Sequence, residues 1–311
     1  METRAIGSLS VSLVGIGCNN FGGRIDATAT QGVVDTALDE GINFFDTADI
    51  YGGTLSEELL GKALGSRRDD VIIATKYGMG DGTKLPAGAS AASVMAAAEG
   101  SLRRLGTDRI DLYQLHAPDD ATAIDETLEA MDRLVRDGKV LEIGCSNFDG
   151  PRLDDAASAA EKHGTARFVS VQNELSLLRR RGEADLLASA ERHDLAILPY
   201  FPLASGVLTG KYRRGEAPPT GTRIGNMPTD RREHALSEKR FDIVEALDAF
   251  ANERGHTLLE LAMSWLASLP HLTSVIAGAT KPEQVKANAA AVGWKLTDDE
   301  RQHIEALAPA R

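Results

Sequence analysis

Eight short, apolar, β-branched runs recur along this chain, and segments with helical periodicity separate them. The runs are Leu13–Gly17, Asn43–Thr47, Val71–Lys76, Ile110–Leu115, Val140–Cys145, Phe168–Gln172, Ala196–Tyr200 and Ser274–Ala277. Between them, apolar residues repeat at the helical period. In Thr122–Arg136, Leu128, Met131, Leu134 and Val135 share one face; Thr122 or Asp125 is placed to cap it, and Gly138 stops it. Ser90–Leu105 ends at Gly106, and Ala184–His193 is a third such helix. Strands alternating with helices imply a parallel sheet. No linker or low-complexity tract divides the chain, so one domain over residues 1–311 is expected.

Two closures of such a sheet compete. An open, doubly wound sheet announces itself with G-x-G-x-x-G after its first strand. Here the first strand runs into GIGCNNFGG, which lacks that spacing, and the next helix, near Ala27–Glu40, starts well after it. An eightfold (β/α) TIM barrel fits better, since such barrels take roughly 250 residues plus insertions. The opening segment, Arg4–Val11, reads as a β-hairpin turning at Gly7-Ser8, placed to cover the barrel's bottom. The longest departure from the rhythm follows Tyr200. A Gly-, Pro- and Arg-rich loop, Lys211–Arg232, precedes an extra helix near Glu233–Arg254, and Leu258–Leu269 completes the repeat. Loops of this length usually carry binding function.

Composition excludes several classes. The net charge of −12 argues against nonspecific nucleic-acid binding. No apolar run approaches the roughly 18 residues of a membrane span, and the first residues lack the pattern of a signal peptide. Cys18 and Cys145 make no disulfide framework, so a reducing cytoplasm is the simplest setting. Of seven histidines only His116 ends an expected strand, and no metal-ligand spacing occurs, so no metal is expected.

Active residues of a TIM barrel come from the C-terminal ends of its strands. Those ends here carry Asp46, with Tyr51 one loop later, then Lys76, His116, Ser146-Asn147, Gln172-Asn173 and Tyr200. Each alone has a plain structural reading. Asp46 suits a turn, Tyr51 a half-buried rim, Lys76 an outward snorkel, and His116 a satisfied core position. Together they suit proton transfer. A phenol is a poor acid near pH 7, but a neighbouring Lys⁺ lowers its pKa, and a carboxylate can hold that lysine charged. Cys18 and Cys145 have no evident base partner and read as small packing residues, with Cys18 at the edge of the site. Phe21, Ile50, Tyr77 and Met79–Lys84 are candidate walls; Phe21 and Tyr77 suit barrel-top packing equally well.

These segments resemble the aldo-keto reductase family over nearly the whole chain. GINFFDTADIYGG, IIATK, DLYQLHAP, GKVLEIGCSNF, VQNELSLL, PYFPLASGVLTGKY and SVIAGATKPEQVKAN follow in family order. The resemblance implies an eightfold barrel that reduces aldehydes and ketones with NADPH and lacks a Rossmann fingerprint. It implies Tyr51 as general acid, Lys76 and Asp46 tuning it, and His116 orienting the carbonyl. It implies Ser146, Asn147 and Gln172 on the nicotinamide carboxamide, with Asp46, Cys18 and Asn19 nearby, and Tyr200 stacked on the ring. Phe201, Pro202, Leu203 and Gly206, with Lys211, would meet the pyrophosphate. Gly278, Thr280, Gln284 and Asn288 would line the adenosine-phosphate end. Pro282 equally reads as a plain helix start. At Thr280 relatives often carry an Arg that clamps the 2′-phosphate, so NADPH is the expected cofactor and NADH stays admissible. A small carbonyl compound is the expected partner. The alternatives are a cofactor-binding module like the potassium-channel β subunits, and an alcohol or sugar dehydrogenase working oxidatively.

Overall fold

The computed structural model describes residues 1–310. The chain opens with β1 (Thr3–Ile6) and β2 (Leu9–Ser12), an antiparallel hairpin that pairs Ile6 with Leu9. Its turn needs a left-handed residue, which Gly7 supplies at φ 54°. The βα repeat follows: β3 (Val14–Gly17), α1 (Ala27–Asp39), β4 (Phe44–Asp46), α2 (Leu55–Leu64), β5 (Ile72–Tyr77) and α3 (Ala91–Leu105). Then come β6 (Ile110–Leu115), α4 (Ile124–Arg136), β7 (Val140–Ser146), α5 (Gly150–His163), β8 (Ser170–Gln172), α6 (Glu183–His193) and β9 (Ala196–Ile197). The insert carries α7 (Thr229–Ala235) and α8 (Glu238–Asn252) before α9 (Leu258–Ala267), β10 (Val275–Gly278), α10 (Pro282–Ala290) and α11 (Asp298–Leu307).

Sequence punctuation explains many boundaries. Asp26, Ser90 and Asp149 each accept a backbone N–H at a helix start, and Thr257 and Thr297 build capping boxes. Two boundaries differ from expectation. Neither Thr122 nor Asp125 caps α4; Ala123 holds that position, and the Thr122 hydroxyl donates to Asp119 at 2.7 Å. The helix expected over Glu233–Arg254 is split, because Leu236 turns its side chain against the core and Ser237 starts α8 in an extended conformation.

The eight strands β3 to β10 are all parallel, in the order β10-β3-β4-β5-β6-β7-β8-β9. The ring closes just beyond β9, where Ile276 N–H donates to Pro199 O at 3.1 Å and Ile197 N–H to His271 O at 2.8 Å. This is an eightfold (β/α) barrel. Because side chains alternate along a strand, each strand serves two cores. Phe45, Ile73 and Tyr113 face the helices in one large cluster. Phe44, Ala74 and Leu112 face the barrel axis in a second, which Ile6, Leu9 and Val11 of the hairpin plug from one end. Among the described residues no helix is long and apolar enough to cross a membrane.

Candidate active site

The axis-facing column changes character toward the strands' C-terminal ends. Two residues beyond Phe44, Ala74 and Leu112 stand Asp46, Lys76 and Gln114, all buried. Gln172 of β8 joins them at the same level. A charged ammonium inside a barrel needs its donors satisfied. Lys76 Nζ donates to Asp46 Oδ1 at 2.8 Å, to Asp46 Oδ2 at 2.7 Å and to Thr47 O at 2.9 Å. Asp46 Oδ1 also accepts from Gln172 Nε2 at 2.8 Å and, more distantly, from Gln114 Nε2 at 3.4 Å. Burial is the largest influence and would lower the Lys76 pKa, but Asp46 and Tyr51 together outweigh it, and the net direction is upward. Lys76 is therefore a fixed positive charge.

Tyr51 stands over that charge, its ring centre 5.3 Å from Lys76 Nζ. Burial raises the phenol pKa, Lys76 lowers it, and burial prevails, so the net shift is upward. This corrects the net lowering anticipated for this group. Desolvation of the would-be phenolate is a tertiary effect that the sequence does not display. His116 meets the Tyr51 ring edge-on, with centroids 5.8 Å apart. Burial, and then Lys76, push the imidazole pKa down to about 3, so it is neutral near pH 7. Its Nδ1 is buried without a hydrogen-bond partner.

Asp46, Tyr51 and His116 open onto a cavity of about 290 Å³. Ser146, Asn147, Gln172, Tyr200, Phe201 and Pro202 line the same space, and so does Asn19. Asn147 is left-handed at φ 63°, and its side chain donates to His116 O at 2.9 Å and accepts from the Tyr200 hydroxyl at 2.8 Å. Ser146 Oγ donates to Gln172 O at 2.7 Å. A larger cavity, about 560 Å³, abuts the first along Phe201, Pro202, Arg223 and Gly278. Leu203, Gly206, Lys211, Thr280, Gln284 and Asn288 line it. Backbone there is strained: Phe201, Ala204 and Ser205 are left-handed at φ 53°, 46° and 60°. Non-glycine residues hold such angles only where the surroundings impose them, commonly at ligand sites.

Two of the proposed residues fall differently. Cys18 is wholly buried behind the wall and lines neither cavity; its thiol lies 3.6 Å from Ile16 O. Lys76 likewise lies beneath the surface that Asp46 and Tyr51 present. Of the candidate walls, Met79 lines the smaller cavity. Phe21 and Tyr77 are core residues, and Tyr77 stacks on Tyr113 with centroids 4.7 Å apart. Sequence reasoning overlooked Gln114, Asn20, Arg24 and Arg223. Gln114 was findable: it precedes His116 by two on β6 and so shares its inward face. Arg24 and Arg223 sit in loops with no periodicity to flag them.

The profile of the Aldo/keto reductase family matches residues 13–309. An uncharacterized oxidoreductase of Bacillus subtilis, YrpG, is 37% identical, covering 97% of this chain and 93% of its own. The aldo-keto reductase YhdN of the same organism is 34% identical, over 94% and 87%. A probable voltage-gated potassium channel subunit beta of Arabidopsis thaliana is 32% identical, over 91% and 88%. The chain belongs to the aldo/keto reductase family and is an oxidoreductase by kinship.

Proposed function

We propose that this protein reduces aldehydes or ketones to alcohols with NADPH, using Tyr51 as the general acid. The observation that carries the reading is the junction of two cavities. One holds a phenol beside a buried ammonium and a neutral imidazole; the other is walled by four cations and no carboxylate. An anionic dinucleotide suits the second cavity, and its reactive end would be held by residues of the first. Gly278, at the junction, leaves a cradle that a Cβ would fill, 3.2 Å from Asn20 Nδ2, and the buried Asn19 Oδ1 beside it has no partner. When bound, the cofactor supplies the hydride that reduces the carbonyl carbon.

The remaining work falls to the chain. His116, neutral, donates a ring N–H to the carbonyl oxygen and orients it. Tyr51 gives that oxygen its proton. The phenolate left behind is stabilised by Lys76, which Asp46 and Thr47 O hold in place, so desolvation that disfavours the phenolate at rest is offset where the charge develops. Ser146, Asn147 and Gln172 would hold the nicotinamide amide, and Tyr200 would pack on its ring. Thr280 offers less to a 2′-phosphate than an arginine would, since its N–H and hydroxyl both already donate to Gln284 Oε1, at 2.7 and 3.1 Å. Lys281 lines the same cavity and brings the missing charge. The same groups run the alcohol oxidation, with phenolate as base. Two free, buried cysteines suit the cytoplasm.

A panel of aldehydes and ketones, each incubated with NADPH and with NADH, tests the reading. NADPH oxidation that depends on the carbonyl compound supports it. Tight cofactor binding with no turnover on any carbonyl would favour the second reading, a cofactor-binding partner module, which the relatives described as potassium channel β subunits keep in view.

A further inference from the structure

One buried acid stands close to Tyr51 without a part in the proton transfer. Asp49 lies between Asp46 and Tyr51, in the segment that carries the phenol. It is fully buried, and neither carboxyl oxygen has a hydrogen-bond partner. Glu57 of α2 is buried as deeply but fully engaged. Its Oε1 accepts from the Thr75 hydroxyl at 2.6 Å and its Oε2 from Arg104 Nε at 2.6 Å. The cation of α3 is thus committed to Glu57, and Asp49 is left without a partner of its own.

Titratable groups face Asp49 from four elements: Glu57 from α2, Arg104 from α3, Lys76 from β5 and Tyr113 from β6. Burial, and then Glu57, disfavour the carboxylate. Arg104, the Ile50 N–H and Lys76 favour it and are outweighed, so the pKa is pushed up to about 7. A neutral acid fits this place, and a second anion beside Glu57 does not.

Asp49 is also where the segment leaves the barrel. Thr47 N–H donates to Ala74 O at 2.8 Å and Asp49 N–H to Lys76 O at 3.1 Å. Among the described residues, no backbone hydrogen bond joins residues 50–54 to β5 beyond that rung. Tyr51 N–H reaches back to Ala48 O at 3.2 Å. Gly52, Gly53 and Thr54 then follow in left-handed conformation, at φ 59°, 65° and 84°. For Thr54 such an angle is held at a cost. An ionised Asp49 gains hydration by parting the segment from β5, and Tyr51, two residues on, moves with it. We propose, on the reading of Tyr51 as general acid, that Asp49 is a positioning residue for it. Protonated, Asp49 seats the segment against β5 and keeps the phenol over Lys76. Ionised, it loosens the segment and withdraws the acid from the cavity.

Single-turnover rates of NADPH oxidation, with a carbonyl compound that the wild type reduces, test this in wild type and Asp49→Asn. The wild-type rate should fall about tenfold as pH rises from about 6 to 8, as expected when a group that titrates near 7 must be protonated. Asp49→Asn should lose that limb and hold the rate that the wild type shows at low pH. A purely structural Asp49 would change the folded fraction, followed by circular dichroism, and leave the two rate profiles superimposable, which would overturn the proposal. Hydrogen exchange on the wild type needs no variant. Amides of residues 47–54 should lose protection at pH 8 relative to pH 6, after correction for intrinsic rates, while those of α3 do not. Equal protection at both pH values would overturn the proposal as well. A wild type that reduces no carbonyl would bring down the reading of Tyr51, and exchange would still decide whether Asp49 holds the segment.

Discussion

The two ends of the barrel interior are built from the same strands and the same inward-facing column, yet they differ in chemistry. At the hairpin end, Phe44, Ala74 and Leu112 meet Ile6, Leu9 and Val11 in a dry plug. One side-chain repeat further along, Asp46, Lys76, Gln114 and Gln172 form a hydrogen-bonded network beneath the cavity. Packing needs only volume and apolarity, so its end tolerates shape-preserving change. The polar end is buried to a similar degree, and every charge there must keep its partner. The lower half thus supplies a rigid floor, and the upper half holds the charge that a proton transfer needs.

The sharpest way to test that division is at its upper edge. Tyr51→Phe should lower kcat for carbonyl reduction by about 10²–10⁴, while the NADPH Kd measured by fluorescence stays near the wild-type value. Near-normal turnover would remove Tyr51 from its role. One layer down, Lys76→Met leaves the Asp46 carboxylate buried without its counterion. Urea denaturation should show a loss of about 3–5 kcal/mol. Adding Asp46→Asn should restore much of the stability and none of the turnover, separating folding from chemistry.

The plug should behave in the opposite way. Ile6→Ala is expected to cost about 3 kcal/mol through lost burial and a cavity, with kcat within about twofold of the wild type, the scatter expected when no group of the site is touched. A proportionate fall in kcat at unchanged folded fraction would mean that the floor does more than support. The smallest effect concerns an acid outside both sets. Asp49 is buried with neither carboxyl oxygen hydrogen-bonded. Burial, and then the Glu57 carboxylate, push its pKa up to about 7 from 3.8. The folded state therefore holds a proton that the unfolded state releases, and this site costs stability as pH rises from about 4 to 7. Asp49→Asn should be more stable than wild type at pH 8 by on the order of 2 kcal/mol, the gain shrinking toward zero at pH 4. Thermal melts across that range check the sign.

How far the sequence could be read follows from what each feature depends on. The barrel strands were legible because two-residue alternation and apolar runs are local, and strand ends pointed to Tyr51 and His116 because a barrel gathers them at one face. The split at Leu236–Ser237 was not, since the helical pattern continues across it and only the pull of the core on Leu236 breaks the helix. Phe21 and Tyr77 could be assigned to wall or core only once their neighbours were known. Arg24 and Arg223 come together from loops far apart in the chain, which no spacing rule connects.

Sequence alone determined the order of strands and helices, the hairpin at Gly7-Ser8 and the residue types delivered to each strand end, because propensity and periodicity act within a few residues. Tertiary structure decided what those residues became. It made Lys76 a fixed charge, held His116 neutral, raised Tyr51 where lowering was anticipated, and brought two arginines to the lining of one cavity. Desolvation and charge–charge interaction depend on what surrounds a group in space, and only the closed barrel supplies those surroundings.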